Sequence, residues 1–178
     1  HIDGIRDSAI QAIKMCRNNG HLVYLCTGRT YGTIPEPVKN VHFDGCIAGG
    51  GCYISCNGTT IENKFIDNNV VNDTISLFQK NDIAYNVETL NKIYMSEPYA
   101  DYLLKKDNRF NNISSEIKRA MELNGNIELR NNIDEFLTHP APASKMCIIT
   151  HKNKVKKIQS QFSSTLQYIE HELPDDMI

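Results

Sequence analysis

One stretch, His21-Leu22-Val23-Tyr24-Leu25-Cys26-Thr27-Gly28-Arg29-Thr30, most constrains what this chain can fold into. Residues 22–26 are a short apolar run without alternation, the pattern of a parallel strand covered on both faces. The run stops abruptly at Thr27-Gly28-Arg29. In open α/β sheets, ligands bind beyond the carboxyl ends of such strands. A hydroxyl, a backbone without a side chain and a fixed cation at that end suit a phosphate group. The same three residues also read as a plain strand-to-turn junction with an exposed arginine, and on these residues alone both readings stand.

The neighbours extend the pattern. Upstream, Asp7 or Ser8 can cap a helix whose apolar residues Ala9, Ile10, Ile13 and Cys16 recur at helical spacing, and Gly20 supplies a stop. Helix, glycine, apolar strand and Thr-Gly-Arg together make half of a βαβ unit. Downstream, residues 31–38 predict a short helical turn bracketed by Pro35 and Pro37, and Phe43-Asp44-Gly45-Cys46-Ile47-Ala48 predicts a second short strand. Gly49-Gly50-Gly51 follows, and then Tyr53 and Ile54 lead into an Asn57-Gly58 hairpin turn and Thr59-Thr60-Ile61.

This order of elements and motifs, densest over residues 3–61, resembles the Cof-type branch of the haloacid dehalogenase (HAD) superfamily. The family consists mostly of magnesium-dependent phosphatases of small phosphorylated metabolites, with a Rossmann-like core and an inserted cap. The resemblance implies that Thr27 is the second-motif residue holding the transferring phosphoryl group, with Gly28 and Arg29 beside it. Gly50 stands where many relatives carry an asparagine facing the site, so no side chain takes that role here. Gly50 and Gly51 are expected at the substrate rim. A phosphate cradle would need a helix to follow the glycines. Here a hairpin follows, which favours close backbone packing.

The family's first motif, Asp-x-Asp-Gly-Thr, supplies an aspartyl nucleophile and an acid/base. This chain opens His1-Ile2-Asp3-Gly4-Ile5, and Asp7 begins a helix too soon for that motif to be fitted onto Asp3. His1 is therefore read as following the first motif. The fourth motif's metal-binding Gly-Asp-x-x-x-Asp occurs nowhere in the 178 residues. Mg2+ is implied as cofactor, with no metal ligands assigned in this chain. Phosphoryl transfer is mostly positioning and charge neutralisation, and Thr27 can replace neither the nucleophile nor the metal carboxylates. By this reading the 178 residues alone do not turn over substrate.

Composition bounds the partners. At 178 residues the chain holds one good core or two small ones. A net charge of -2 gives no reason to expect nucleic acid, and no apolar run approaches membrane-spanning length. Six cysteines without a Cys-x-x-Cys pair argue against zinc. They are expected to be reduced and mostly buried, in a cytoplasmic protein.

Beyond residue 66 the chain becomes Asn-rich. A helix is predicted over 69–80, strands over 83–88 and 92–95, a helix opened by Pro98, another over 112–125, and a strong strand over 143–150. Residues 128–136 are ambiguous. Asn153 is expected to cap a helix with Val155, Ile158, Phe162 and Leu166 inward, ahead of a strand over 168–172. An antiparallel sheet with helices on one side is predicted, resembling the family's C2-type cap. The fold class is thus α/β, a partial Rossmann-like HAD core (1–66) plus an inserted α+β cap (67–178). Glu88, Tyr94 and Arg130 are the cap residues that could reach the site, although each reads more simply as surface or packing. Lys145, at the start of a strand, is expected to stay solvated rather than act as the third-motif lysine.

Three functions follow. The first is a phosphatase of small phosphorylated metabolites. The second is an inactive phosphate-binding or regulatory module. A nucleotide-binding Rossmann domain is disfavoured, because no Gly-x-Gly-x-x-Gly follows the first strand.

Overall fold

A computed structural model describes residues 5–104 and 131–169. The fold is mixed α/β, built on two sheets. The first begins with helix α1 (Asp7–Asn18), with Asp7 in its first turn and Arg17 in its last, each matching the helix dipole. Arg6 is the N-cap residue, and neither Asp7 nor Ser8 closes the end with a side-chain bond. Gly20 takes φ +82°. Its N–H bonds the Arg17 carbonyl and that of His21 bonds the Cys16 carbonyl, so the helix ends in a Schellman motif.

Strand β1 (Tyr24–Cys26) pairs in parallel with β2 (Gly45–Ala48). A one-turn helix α2 (Glu36–Lys39) lies between them. From β2 the sheet turns antiparallel through β3 (Tyr53–Cys56) and β4 (Thr59–Asn63). Asn57 and Gly58 both take positive φ, 48° and 76°, as a type I′ hairpin demands. Gly45 is required for space. A Cβ there would run into the Tyr24 ring and the Ser55 carbonyl. Gly45→Ala is expected to cost about 1–3 kcal/mol by overpacking, read as a lowered urea midpoint.

The expectation of a strand buried on both faces is not met for β1. Tyr24 and Leu25 are half-buried, Cys26 is exposed and Leu22 is 66% exposed. Among the described residues β1 is an edge strand, paired only with β2. An unbroken apolar run reports a capacity for burial, and neighbours decide whether burial occurs. Cys16 is likewise exposed, against the expectation of mostly buried thiols, while all six cysteines are free as expected.

Asp44 fastens this sheet. Its carboxylate accepts the Val23 N–H at 2.8 Å and pairs with the Arg17 guanidinium, Nε at 3.0 Å and the terminal nitrogen at 3.0 Å. The Val23 bond, and then Arg17, hold its carboxyl below the ordinary range against the opposing effect of burial. A lowered folded pKa gives stability that is present above the unfolded value and lost as pH falls through the folded one. The urea midpoint of Asp44→Asn should therefore lie below wild type at neutral pH, and the gap should close as pH falls from about 4.

The second sheet, in the order β6-β5-β7, consists of β5 (Ala84–Thr89), β6 (Ile93–Met95) and β7 (Ala143–Ile149), all antiparallel. Helix α3 (Asn68–Lys80) opens on Asp67, which accepts the Asn69 N–H at 2.9 Å. It closes at Asp82 in left-handed conformation, φ 49°. Val71, Ile75 and Phe78 of α3 pack on Tyr85 and Val87, together with Ile133 and Phe136 of α5 (Ile133–Thr138) and Ile158 of α6 (Lys152–Ile158). Of the ambiguous stretch, residues 133–136 fall in helix α5, capped by the Asn132 side chain on the Asp134 N–H, while residues 128–130 lie outside the described residues.

Helices cover both faces of this sheet rather than one. Tyr99 and Ala100 of α4 (Glu97–Leu104) pack on the opposite side against Ala84, Ile93, Cys147 and Ile149. Successive β5 residues point to opposite faces, and residues 85–89 are all buried, so both faces of this strand are covered. Helix α6 is shorter than expected and starts from His151 rather than Asn153. After Ile158 the chain tightens into a 3-10 turn (Gln159–Gln161), and Phe162 leaves in extended conformation while still packing on Phe78. Residues 168 and 169 are not strand. The rest of that expected strand, and the helix expected over 112–125, lie outside the described residues. Among the described residues no helix is long and apolar enough to cross a membrane.

Candidate functional site

The turn at the end of β1 is held by backbone. Thr27 continues the parallel ladder, its N–H on the Ile47 carbonyl at 2.9 Å. Its Oγ1 accepts the Arg29 N–H at 3.2 Å, which folds residues 27–29 into a tight turn. Among the described residues, neither the Thr27 hydroxyl proton nor the Gly28 N–H has an acceptor, and the Arg29 guanidinium forms no ion pair. Two neutral donors and one cation therefore stand within three consecutive residues. Next along the chain, Thr30 and Thr33 are buried and satisfy each other, with Thr33 Oγ1 donating to the Thr30 carbonyl at 2.8 Å.

The glycine run abuts this turn. Gly49, Gly50 and Gly51 take φ of 61°, 67° and 99°, three successive left-handed residues. At Gly50 and Gly51 an added Cβ would meet nothing within 4 Å, so conformation rather than space calls for glycine. The Gly49 N–H donates to the Arg29 carbonyl at 2.7 Å and the Gly50 N–H approaches the Thr27 carbonyl at 3.4 Å. No helix follows, since β3 begins at Tyr53. Thr27, Gly28, Arg29, Gly50 and Gly51 are thus brought together at the carboxyl ends of the two parallel strands.

The second sheet presses on the same turn. The Gly32 N–H donates to the Leu90 carbonyl at 2.7 Å, and a Cβ on Gly32 would lie 2.5 Å from the Asn91 Cα. Glycine is needed there for the two backbones to meet. Lys145 does not simply stay solvated. Its ammonium pairs with Glu88 at 3.0 Å and donates to the Gly28 carbonyl at 3.1 Å. Burial pulls the Lys145 pKa down, but the Glu88 carboxylate outweighs it and the net shift is upward. The Cys147 thiol also donates to Glu88, at 3.3 Å, and burial, then the carboxylate, pushes it up to about 12. It therefore stays protonated at neutral pH.

Of the other cap residues, Glu88 is buried, 6% exposed, and among the described residues it reaches the turn through Lys145. Tyr94 packs with α3, α5 and the second sheet, its ring against that of Phe136. Arg130 lies outside the described residues. Sequence reasoning did not assign Gly32 to the site; it named Glu88 as a cap residue that could reach it and read Lys145 as solvated, but it did not foresee that the two pair. The only signal for the pair was a charge of each sign at the ends of two apolar strands. Among the described residues no group of three or more His, Cys, Asp and Glu side chains is placed to hold a metal. These residues do not by themselves make a magnesium site.

A model of the haloacid dehalogenase-like hydrolases matches residues 2–172. The chain belongs to that family. Solved HAD structures share its fold. They include a phosphatase of the superfamily from Bacteroides thetaiotaomicron (TM-score 0.62, 16% identity, 90% of this chain and 54% of that one). A haloacid dehalogenase-like hydrolase from B. subtilis matches with TM-score 0.64 and 19% identity, over 90% of this chain and 61% of that one. A sugar phosphatase of HAD subclass IIB matches with TM-score 0.61 and 15% identity, over 91% and 58%. The chain spans between about half and three-fifths of the length of these HAD proteins. Among curated proteins, none matches it in sequence.

Proposed function

We propose that this chain is the phosphoryl-holding core segment and cap of a magnesium-dependent HAD phosphatase acting on small phosphorylated metabolites in the cytoplasm. Residues 1–66 form the core part and residues 67–178 the C2-type cap. The observation that carries the reading is the Thr27-Gly28-Arg29 turn, with its donors and cation grouped at the carboxyl end of β1. Thr27 donates to an oxygen of the phosphoryl group, the Gly28 N–H approaches a second, and Arg29 supplies positive charge. Gly50 and Gly51 form the rim that lets substrate approach the backbone. In the family's chemistry Mg2+ and an aspartyl-phosphate complete the reaction, and the groups for both are not among the described residues.

The test is hydrolysis of p-nitrophenyl phosphate by the whole natural protein, with Mg2+ and with EDTA in its place. Turnover that needs Mg2+ is the expected result. Binding of inorganic phosphate without turnover would move the assignment to a phosphate-binding module, and absence of both would overturn the site.

A further inference from the structure

We propose that Lys145 is a positioning residue for the phosphoryl-binding turn: its ammonium, seated on the buried Glu88 carboxylate, holds the Gly28 carbonyl and sets where Thr27 and Arg29 stand. The proposal rests on the phosphatase reading above and names a further residue for it. It starts from register. Pairing of β5 with β7 sets Glu88 directly opposite Lys145 and Asn86 opposite Cys147. A carboxylate as buried as Glu88 needs a partner, and the Lys145 ammonium and the Cys147 thiol both donate to its Oε1. The same carboxylate anchors the ammonium, so the further bond to the Gly28 carbonyl comes from a fixed donor rather than a mobile surface lysine.

The turn needs such a tie. No atom lies within 4 Å of a Cβ position on Gly28, so packing does not locate it. Thr27 and Arg29 are tied to the first sheet through the Ile47 carbonyl and the Gly49 N–H, whereas among the described residues the Gly28 carbonyl is held from the second sheet. The Gly32 contact with Leu90 lies four residues further on. Lys145 is thus the side chain that couples the second sheet to the residues proposed to grip phosphate. Loss of the tie lets the donors drift, and small misplacements at a reacting centre are costly.

A purely structural role, neutralising Glu88, makes a different prediction from a positioning role, and a paired substitution separates them. Lys145→Met alone strands the carboxylate, whereas Lys145→Met combined with Glu88→Leu removes both charges. In the whole protein both variants are expected to lose ~10-fold in kcat/KM for p-nitrophenyl phosphate, because both lack the Gly28 bond. Amide hydrogen exchange in a peptide spanning residues 24–33 should be faster in the double variant than in wild type. Recovery of wild-type kcat/KM in the double variant would overturn the proposal and leave Lys145 as a counter-ion for Glu88. Absence of turnover in wild type would fail the phosphatase reading itself. Exchange then decides the tie separately: unchanged exchange over 24–33 overturns it, and faster exchange supports it.

Discussion

Thr27→Ala is expected to lower kcat/KM of the whole protein for an aryl phosphate by ~10²-fold or more, the usual consequence of deleting one aimed donor to developing phosphoryl charge. Stability should move little. The Thr27 N–H keeps its bond to the Ile47 carbonyl, and the side chain accepts only one backbone bond, from Arg29 at 3.2 Å. Loss of that bond costs about 1 kcal/mol. Thr27→Ser keeps the hydroxyl and should retain most activity, whereas Thr27→Val keeps shape without the donor and should behave like alanine. Steady-state kinetics beside a urea titration of each variant makes the comparison. Unchanged turnover in the alanine variant would remove Thr27 from the site. A matching collapse of stability would mean that the turn, rather than the hydroxyl, had been lost.

The largest stability effect is expected at Phe136. It is 2% exposed, the largest of the fully buried side chains among the described residues, and its ring lies 5.3 Å from that of Tyr94. Around it are Val71, Ile75 and Val87 of the second core. Phe136→Ala removes this contact and opens a cavity between helix and sheet, at a cost of about 3–5 kcal/mol. Set against a total of about 5–15 kcal/mol for an ordinary domain, that is a large share. The next residue serves as control. Leu137 is 42% exposed, and its replacement by alanine should stay within about 0.5 kcal/mol of wild type. Urea midpoints at unchanged slope would read both, and a Phe136→Ala loss under about 1 kcal/mol would show that α5 does not close this core.

Much of the fold was legible because its causes are local. Gly20 ends α1 and Asn57-Gly58 dictates a primed hairpin turn, each through the conformation of one or two residues, whereas the Asp67 cap of α3 was seen only in the structure. The two strands β1 and β2 were legible as apolar runs, whereas their parallel pairing was supplied by the structure. The grouping of Thr27, Gly28, Arg29, Gly50 and Gly51 was foreseen from motif order, and the two segments do lie against each other through the Gly49 to Arg29 bond.

Features that depend on what faces an element were not legible. Leu22 and Cys26 look buried as a sequence pattern and are exposed, because burial belongs to the neighbours and not to the strand. Helix α6 stops at Ile158 although the apolar spacing continues to Phe162, which reaches Phe78 from extended chain instead. Any segment that brings an aromatic ring to the core satisfies the same burial, so periodicity could not tell the two apart.

By itself, then, the sequence determined the family, the order of elements, the local turns and the residues grouped at the end of β1. Only the tertiary structure decided that Glu88 is buried, that Lys145 stands on it, and that the Gly28 carbonyl completes the set. Local steric and hydrogen-bonding preferences are written residue by residue along the chain. A contact between residues 28, 88 and 145 exists only once two sheets have found their register and docked.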